Sequence, residues 1–229
     1  VSVLTAVAII PSAPVLVPEL AGAAAAELTD LYAAVHDAAA VLPHRWIAIG
    51  TDTTEQRVGP EATGTFAGYG VDLAVRMSPV AHADAWLPLC ALVAGWLRGQ
   101  VAPDASAETL CYPSSLDASG ALARGRALRA EIDADAEPVG VLVVADGAHT
   151  LTPSAPGGYD EDSIAVQNAL DDALAAGDVA ALADVPPGVV GRVAFTVLAG
   201  LAEPGPAAAR ELYRAAPYGV GYFVGVWQP

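Results

Sequence analysis

One histidine in this sequence stands where it could move a proton. In VVADGAHTLTPSAPGGYDEDS, residues 143–163, an apolar climb ends at Asp146 and His149 follows three positions later. A histidine side chain takes or gives a proton near neutral pH, which suits general acid–base catalysis. A carboxylate beside it would hold its tautomer and raise its basicity; Asp146 and Asp52 are the candidates for that task. The competing role is structural, since a histidine bonded to backbone can lock a Pro- and Gly-rich turn. The residue types weigh the two roles equally.

The remaining histidines are placed less tellingly. His36 falls in a helical run beside Asp37, His44 follows Pro43 in a turn, and His82 precedes a helical run. None forms an H-x-x-x-H pattern and the cysteines form no C-x-x-C, so local spacing shows no metal site. Cys90 and Cys111 read as buried thiols rather than a disulfide. The glycine-rich GPEATGTFAGYGVD, residues 59–72, lacks the order of a phosphate loop and precedes a strand-like run. It reads as a surface hairpin, with a flap over the site as the sharper alternative. Tyr159 could stack over a ligand, though packing on the sheet is the simpler role.

These residues need elements to hold them. Apolar, β-branched runs predict strands over 4–10, 45–50, 107–112 and 139–146, with a strand-like stretch within 64–76. Helices are expected over 21–42, 83–99, 114–133 and 160–178, and shorter ones over 179–185 and 191–202. Asp117 is expected to cap its helix, Gly99 and Gly177 to stop theirs. The tail, residues 209–227, reads as two strands around Pro217, Tyr218 and Gly219. Alternating helices and continuous apolar strands predict an α/β fold. It would be a single domain over 1–229, a mostly parallel twisted sheet with helices on both faces. Open α/β sheets bind ligands beyond the carboxyl ends of their strands. Three polar clusters follow such ends: Pro11 to Pro14 with Ser12, Gly50 to Thr54 with Thr51 and Asp52, and Asp146 to His149.

Composition narrows the partners. Apolar residues make up 54 % and charged residues 16 %, enough for a sizeable core. The net charge of −16 repels phosphate backbones and anionic lipid surfaces, so neither nucleic acid nor membrane is expected. A small polar or aromatic molecule is the expected partner. The apolar YFVGVW of the tail could serve a homo-oligomer interface. The apolar opening lacks a basic leader and is broken by Pro11, Pro14 and Pro18, so a signal peptide is not expected; a cytoplasmic setting is.

ADGAHTLTPSAPGGYDEDS, residues 145–163, resembles the G-D-L-S-H-R-L segment and following Gly/Tyr/Asp run of the class III extradiol ring-cleavage dioxygenase subunit-B superfamily, which also contains Memo-type proteins. The opening IIPSAPVLVPEL is similar to that family's P-H-x-P-L-L-x-P-E opening, and WIAIGTDTT to its strand ending in S-P-H. The closing YGVGYFVGVW resembles its final strand, so the likeness runs from end to end through short motifs. It implies an α/β fold with the site at the strand ends. In active members two His and one Glu hold Fe(II), and a further His is the acid/base. By position His149 matches that acid/base and Asp146 the Asp of the motif. The first metal His falls on Ser12 and the second on Thr51 or Asp52. The later helical region offers no carboxylate before Glu203. A serine hydroxyl is a poor ferrous ligand. The resemblance therefore implies a relative that has lost the iron, with no cofactor expected. His149 would act as residual acid/base beside Asp146 or Asp52, and Ser12, Thr51 and Tyr159 would touch the bound molecule. Two alternatives stay open: a true Fe(II) dioxygenase with displaced ligands such as His82 or Asp52, and a non-catalytic binding or scaffold protein.

Overall fold

The computed structural model describes residues 3–229. The opening apolar run forms strand β1, Leu4–Ile10, then the short helix α1, Pro18–Ala21, and helix α2, Thr29–Ala39. Strands β2, Arg45–Asp52, and β3, Gln56–Val58, follow, then the small strands β4, Ala62–Thr65, β5, Ala74–Arg76, and β6, Ala83–Asp84. Helix α3, Leu89–Val101, strand β7, Ser106–Pro113, helix α4, Ala118–Asp133, and strand β8, Val139–Val144, come next. The chain closes with helices α5, Asp162–Ala176, and α6, Arg192–Ala202, and strands β9, Ala208–Ala215, and β10, Tyr222–Gln228.

Seven strands form one sheet in the order β3-β7-β2-β8-β1-β10-β9. Its four-strand centre, β7-β2-β8-β1, is parallel, and antiparallel strands close both edges. The α/β architecture expected from the sequence is therefore present. Alternation along β1 assigns the two faces. Ala6, Ala8 and Ile10 pack with α2 and α3, whereas Val7 and Ile9 pack with α5 and α6. Each fully buried Ile or Leu of this kind contributes roughly 1.5–3 kcal/mol. Helix α4 packs against α6, and the two backbones touch. A Cβ on Gly125 would sit 2.1 Å from Val197 O, and one on Gly200 2.3 Å from Leu122 O.

Several local expectations change. The helix expected over 21–42 is α-helical only from Thr29; Gly22, at φ 56°, ends α1, and residues Gly22–Leu28 wind as a 3-10 helix. Its run of alanines offers methyl groups but no broad apolar face to hold an α-helix down. The helix expected from 83 begins at Leu89, because residues 83–84 join β4 as β6 and Pro88 is the N-cap. Gly99 does not stop it; α3 continues to Val101 and ends ahead of Pro103, which disfavours helical backbone before it. Asp117 caps α4 through the Gly120 N–H, and Gly177 ends α5 at φ 69°. The Gly-rich stretch is a hairpin in a separate sheet of order β5-β4-β6. The apolar tail is buried: Tyr222, Phe223, Val224 and Trp227 lie in the core and β9 covers the edge of β10, so its hydrophobicity is explained without an oligomer interface. No helix among the described residues is long and apolar enough to cross a membrane.

Candidate functional site

Strand register builds the site. β8 pairs in parallel with β1, Ile10 against Val144, and with β2, Ile49 against Val143. The turns leaving β1, β2 and β8 therefore emerge side by side at the carboxyl edge of the sheet. β10 runs the other way beside β1, so its first residue, Tyr222, reaches the same edge.

Asp146 is the hinge of this edge. Its Oδ1 accepts the Ser12 N–H at 2.8 Å, tying the β1 turn to the β8 turn. No other hydrogen bond to a described residue is made by its side chain, which leaves Oδ2 open. Part of the residue's surface is accessible, but protein surrounds the carboxyl, and burial pushes its pKa up from 3.8 to about 7. The Ser12 N–H favours the ionised form and opposes the shift. Asp146 thus exchanges a proton near neutrality. The buried Tyr222 hydroxyl holds its proton more tightly than an ordinary phenol, first through burial and then through the nearby Asp146 charge.

Backbone bonds fix the rest of the turn. Gly191 N–H donates to Asp146 O at 2.8 Å and Val190 N–H to Gly147 O at 3.1 Å, joining the turn to the start of α6. Gly147 N–H donates to Gly221 O, and Gly221 N–H returns to Ala148 O, each at 2.8 Å. His149 accepts the Gly157 N–H on its carbonyl at 3.0 Å, so the backbone, not the imidazole, locks the Pro/Gly loop. The ring lies under that loop. A Cβ on Gly157 would stand 2.7 Å from both Cδ2 and Nε2. Nδ1 is buried with no hydrogen-bond partner among the described residues.

This arrangement corrects the expected carboxylate–histidine pair. Neither Asp146 nor Asp52 bonds the imidazole. Asp52 turns the other way: its oxygens accept from Thr53 N–H at 2.8 Å and Gln56 Nε2 at 3.2 Å, bracing the β2–β3 turn. Its charge also reaches Tyr69 of the hairpin, so the hairpin adjoins the β2 end of the edge. The Ser12 and Thr51 hydroxyls make no hydrogen bond to a described residue. Tyr159 is 53 % exposed on the outside of the loop, where its backbone bridges Leu151.

A cluster of tyrosines escaped the sequence reading. Tyr32, Tyr213 and Tyr222 hold their protons more tightly than ordinary phenols, first through burial and then in part through Tyr218, whose hydroxyl is buried with no hydrogen-bond partner among the described residues. The signal was three tyrosines within ten residues of the tail, 213–222, which read simply as strand formers.

The residues do not fit the ferrous centre that the resemblance implies. Ser12 and Thr51 supply hydroxyls where imidazoles are needed. Glu203 follows the far end of α6, about 16 Å from the end that touches Asp146, and is paired with Arg126 at 2.6 Å. His82 lies just before β6 of the small sheet and faces Val80 O at 3.1 Å. Among the described residues no three His, Cys, Asp or Glu side chains gather as a metal ion would require.

No family model and no curated protein matches this sequence. Among solved structures, the chain is similar to the crystal structure of an uncharacterized protein from Escherichia coli K12. The two share 14 % identity over 98 % of this chain and 100 % of the other, with a TM-score of 0.62. At that identity the likeness shows the fold alone.

Proposed function

We propose that this protein is an iron-independent member of the class III extradiol dioxygenase subunit-B-like group, which binds a small polar or aromatic molecule at the carboxyl edge of its sheet. Asp146 and His149 exchange protons with that molecule. The Ser12 and Thr51 hydroxyls, unpartnered among the described residues, offer it hydrogen bonds. The setting is the cytoplasm, where Cys90 and Cys111, both buried and free, stay reduced.

One observation carries the reading. The Asp146 carboxyl is held by the Ser12 N–H at 2.8 Å with its second oxygen open, at the junction of two strand ends. Protonated, it donates to a ligand oxygen; ionised, it accepts a ligand proton. A group so tuned contributes about 10² to 10⁴-fold in rate when it reaches the reacting atom. Support for the family comes from placement. Four family-like segments, 9–20, 46–54, 145–163 and 218–227, are scattered along the chain, yet they meet at the ends of β1, β2 and β8 and the start of β10.

The test uses the chelated protein, with and without Fe(II) added anaerobically. Ring cleavage of a catechol and Fe(II) affinity are measured, and Asp146 is titrated by carboxyl NMR. The expected results are no iron-dependent cleavage, Fe(II) binding no tighter than millimolar, and an Asp146 midpoint near neutrality. Fe(II)-dependent catechol cleavage would overturn the iron-independent reading. An Asp146 midpoint in the ordinary carboxylate range would overturn the acid–base role.

A further inference from the structure

Helix α5 carries two buried polar side chains where an amphipathic helix would place leucines. Gln167 and Asp171 are each 6 % exposed, alongside Leu170 and Leu174. Burying an amide and a carboxyl is costly unless each is hydrogen-bonded. Both are. Gln167 Oε1 accepts the Ala148 N–H at 2.7 Å, and Gln167 Nε2 donates to Asp171 Oδ1 at 2.8 Å. Ala148 is the residue between Gly147 and His149, so the side-chain amide grips the turn at its centre.

We infer that Gln167 and Asp171 are positioning residues that set the conformation of the Asp146–His149 turn. The inference rests on the reading of that turn as the functional site.

The space around the amide supports this. A Cβ on Gly147 would lie 2.1 Å from Gln167 Oε1, and one on Gly221 2.2 Å from Gln167 Cδ. Neither glycine has a positive φ, so backbone freedom does not explain them. They clear a slot. The slot is cut from two separate segments, the end of β8 and the approach to β10, which bond each other at that same point. Filling it would push the turn off its hydrogen bonds to Gly221.

Chemistry also sets the amide's direction. An ionised carboxylate only accepts, so Asp171 holds the nitrogen of Gln167 towards itself and leaves the oxygen facing Ala148 N–H. Burial raises the Asp171 pKa to about 6, and Arg214 opposes that shift while Glu211 and Asp172 reinforce it. A cavity of about 340 Å³ bounded by Leu151, Asn168, Asp171 and Arg214 opens beside the pair. Gln167 lines the same space, so both side chains adjoin it, while the Gln167 oxygen is locked into the turn by the Ala148 N–H.

The experiment is NMR on the labelled full chain. In the wild type the Gln167 side-chain NH2 should be resolved and slow to exchange. In Gln167→Leu, Ala148 amide protection should fall by about tenfold or more, with shifts of the Asp146 carboxyl and His149 ring signals. The double variant Gln167→Glu with Asp171→Asn reverses the donor and acceptor between the two positions. It keeps an acceptor for Ala148 N–H and should restore protection to within about threefold of wild type. Unchanged Ala148, Asp146 and His149 signals in Gln167→Leu would overturn the inference, as would a double variant no better protected than Gln167→Leu. Should Gln167→Leu fail to fold, a fast-exchanging Gln167 NH2 in the wild type is decisive against it. Failure of the proposed function is read separately, as an ordinary Asp146 midpoint or iron-dependent cleavage, and neither alters the Ala148 measurement.

Discussion

Ser12 and Asp146 lie 134 positions apart in sequence, yet the backbone N–H of one meets the carboxylate of the other at 2.8 Å. That bond fixes where the turns after β1 and β8 stand relative to each other. It also holds a carboxyl whose charge is disfavoured by its surroundings.

Stability should reflect that cost. The folded pKa of Asp146, about 7, exceeds its unfolded 3.8, so folding disfavours the ionised form. The associated stability is full below the unfolded pKa and is lost as pH rises towards 7, up to roughly 4 kcal/mol. Asp146→Asn keeps an acceptor for Ser12 N–H and removes the charge. In urea denaturation its advantage over wild type should be about 2–3 kcal/mol larger at pH 8 than at pH 5. A pH-independent difference would show that the carboxyl is not destabilised.

The imidazole can be displaced without touching it. A methyl at 157 would meet His149 Cδ2 and Nε2 at 2.7 Å, and Gly157 has no positive φ to strain. Gly157→Ala should therefore move the ring, weakening binding of a phenolic ligand by about tenfold while stability changes by less than ~1 kcal/mol. Calorimetric titration and thermal melting together separate the two effects. Unaltered affinity would remove His149 from the site.

The α4–α6 contact should tolerate no side chain. The atoms facing Gly125 and Gly200 are backbone, so neither rotamer change nor side-chain relaxation relieves the clash. Gly125→Ala and Gly200→Ala should each cost about 1–3 kcal/mol or more, read as a lower urea midpoint. Because α6 begins at the Gly191 bond to Asp146 O, Asp146 and Ala148 NMR signals should shift as well.

Cys90 and Cys111 face each other with sulfurs 3.3 Å apart, both buried and both free. The Cys111 hydrogen bond, reinforced by burial, pushes the Cys90 thiol above its ordinary pKa and suppresses the reactive thiolate. Alkylation of the folded protein at mildly alkaline pH should be slower than that of the unfolded chain by about tenfold or more. Mass spectrometry after denaturation should find both thiols available. A mass lower by two hydrogens, or rapid labelling in the native state, would contradict this.

Local pattern made much of the molecule legible. Apolar runs ending in polar turns gave β1, β2, β7 and β8 within a residue or two, and Asp117 and Gly177 marked their helix ends through capping chemistry. Where local preference conflicted with pairing, pairing won. Residues 83–84 left a helix-favouring stretch for a ladder with β4. Gln167 and Asp171 looked like ordinary polar positions of an amphipathic helix, because the Ala148 N–H that Gln167 grips and the residues that bury the pair lie outside that helix. The expected carboxylate for His149 failed for the same reason: spacing of three residues says nothing about which way two side chains point across a turn.

By itself, then, the sequence determined which segments extend, which coil, and which short polar clusters end the strands, since those depend on side-chain period and on Gly, Pro and Asp placed locally. Only the tertiary structure decided that β8 threads between β1 and β2, that Ser12 finds Asp146, and that Gln167 fills a slot left by two glycines. Such choices are made by hydrogen bonds and exclusions between residues far apart in the chain, and each exists only once the sheet has closed around it.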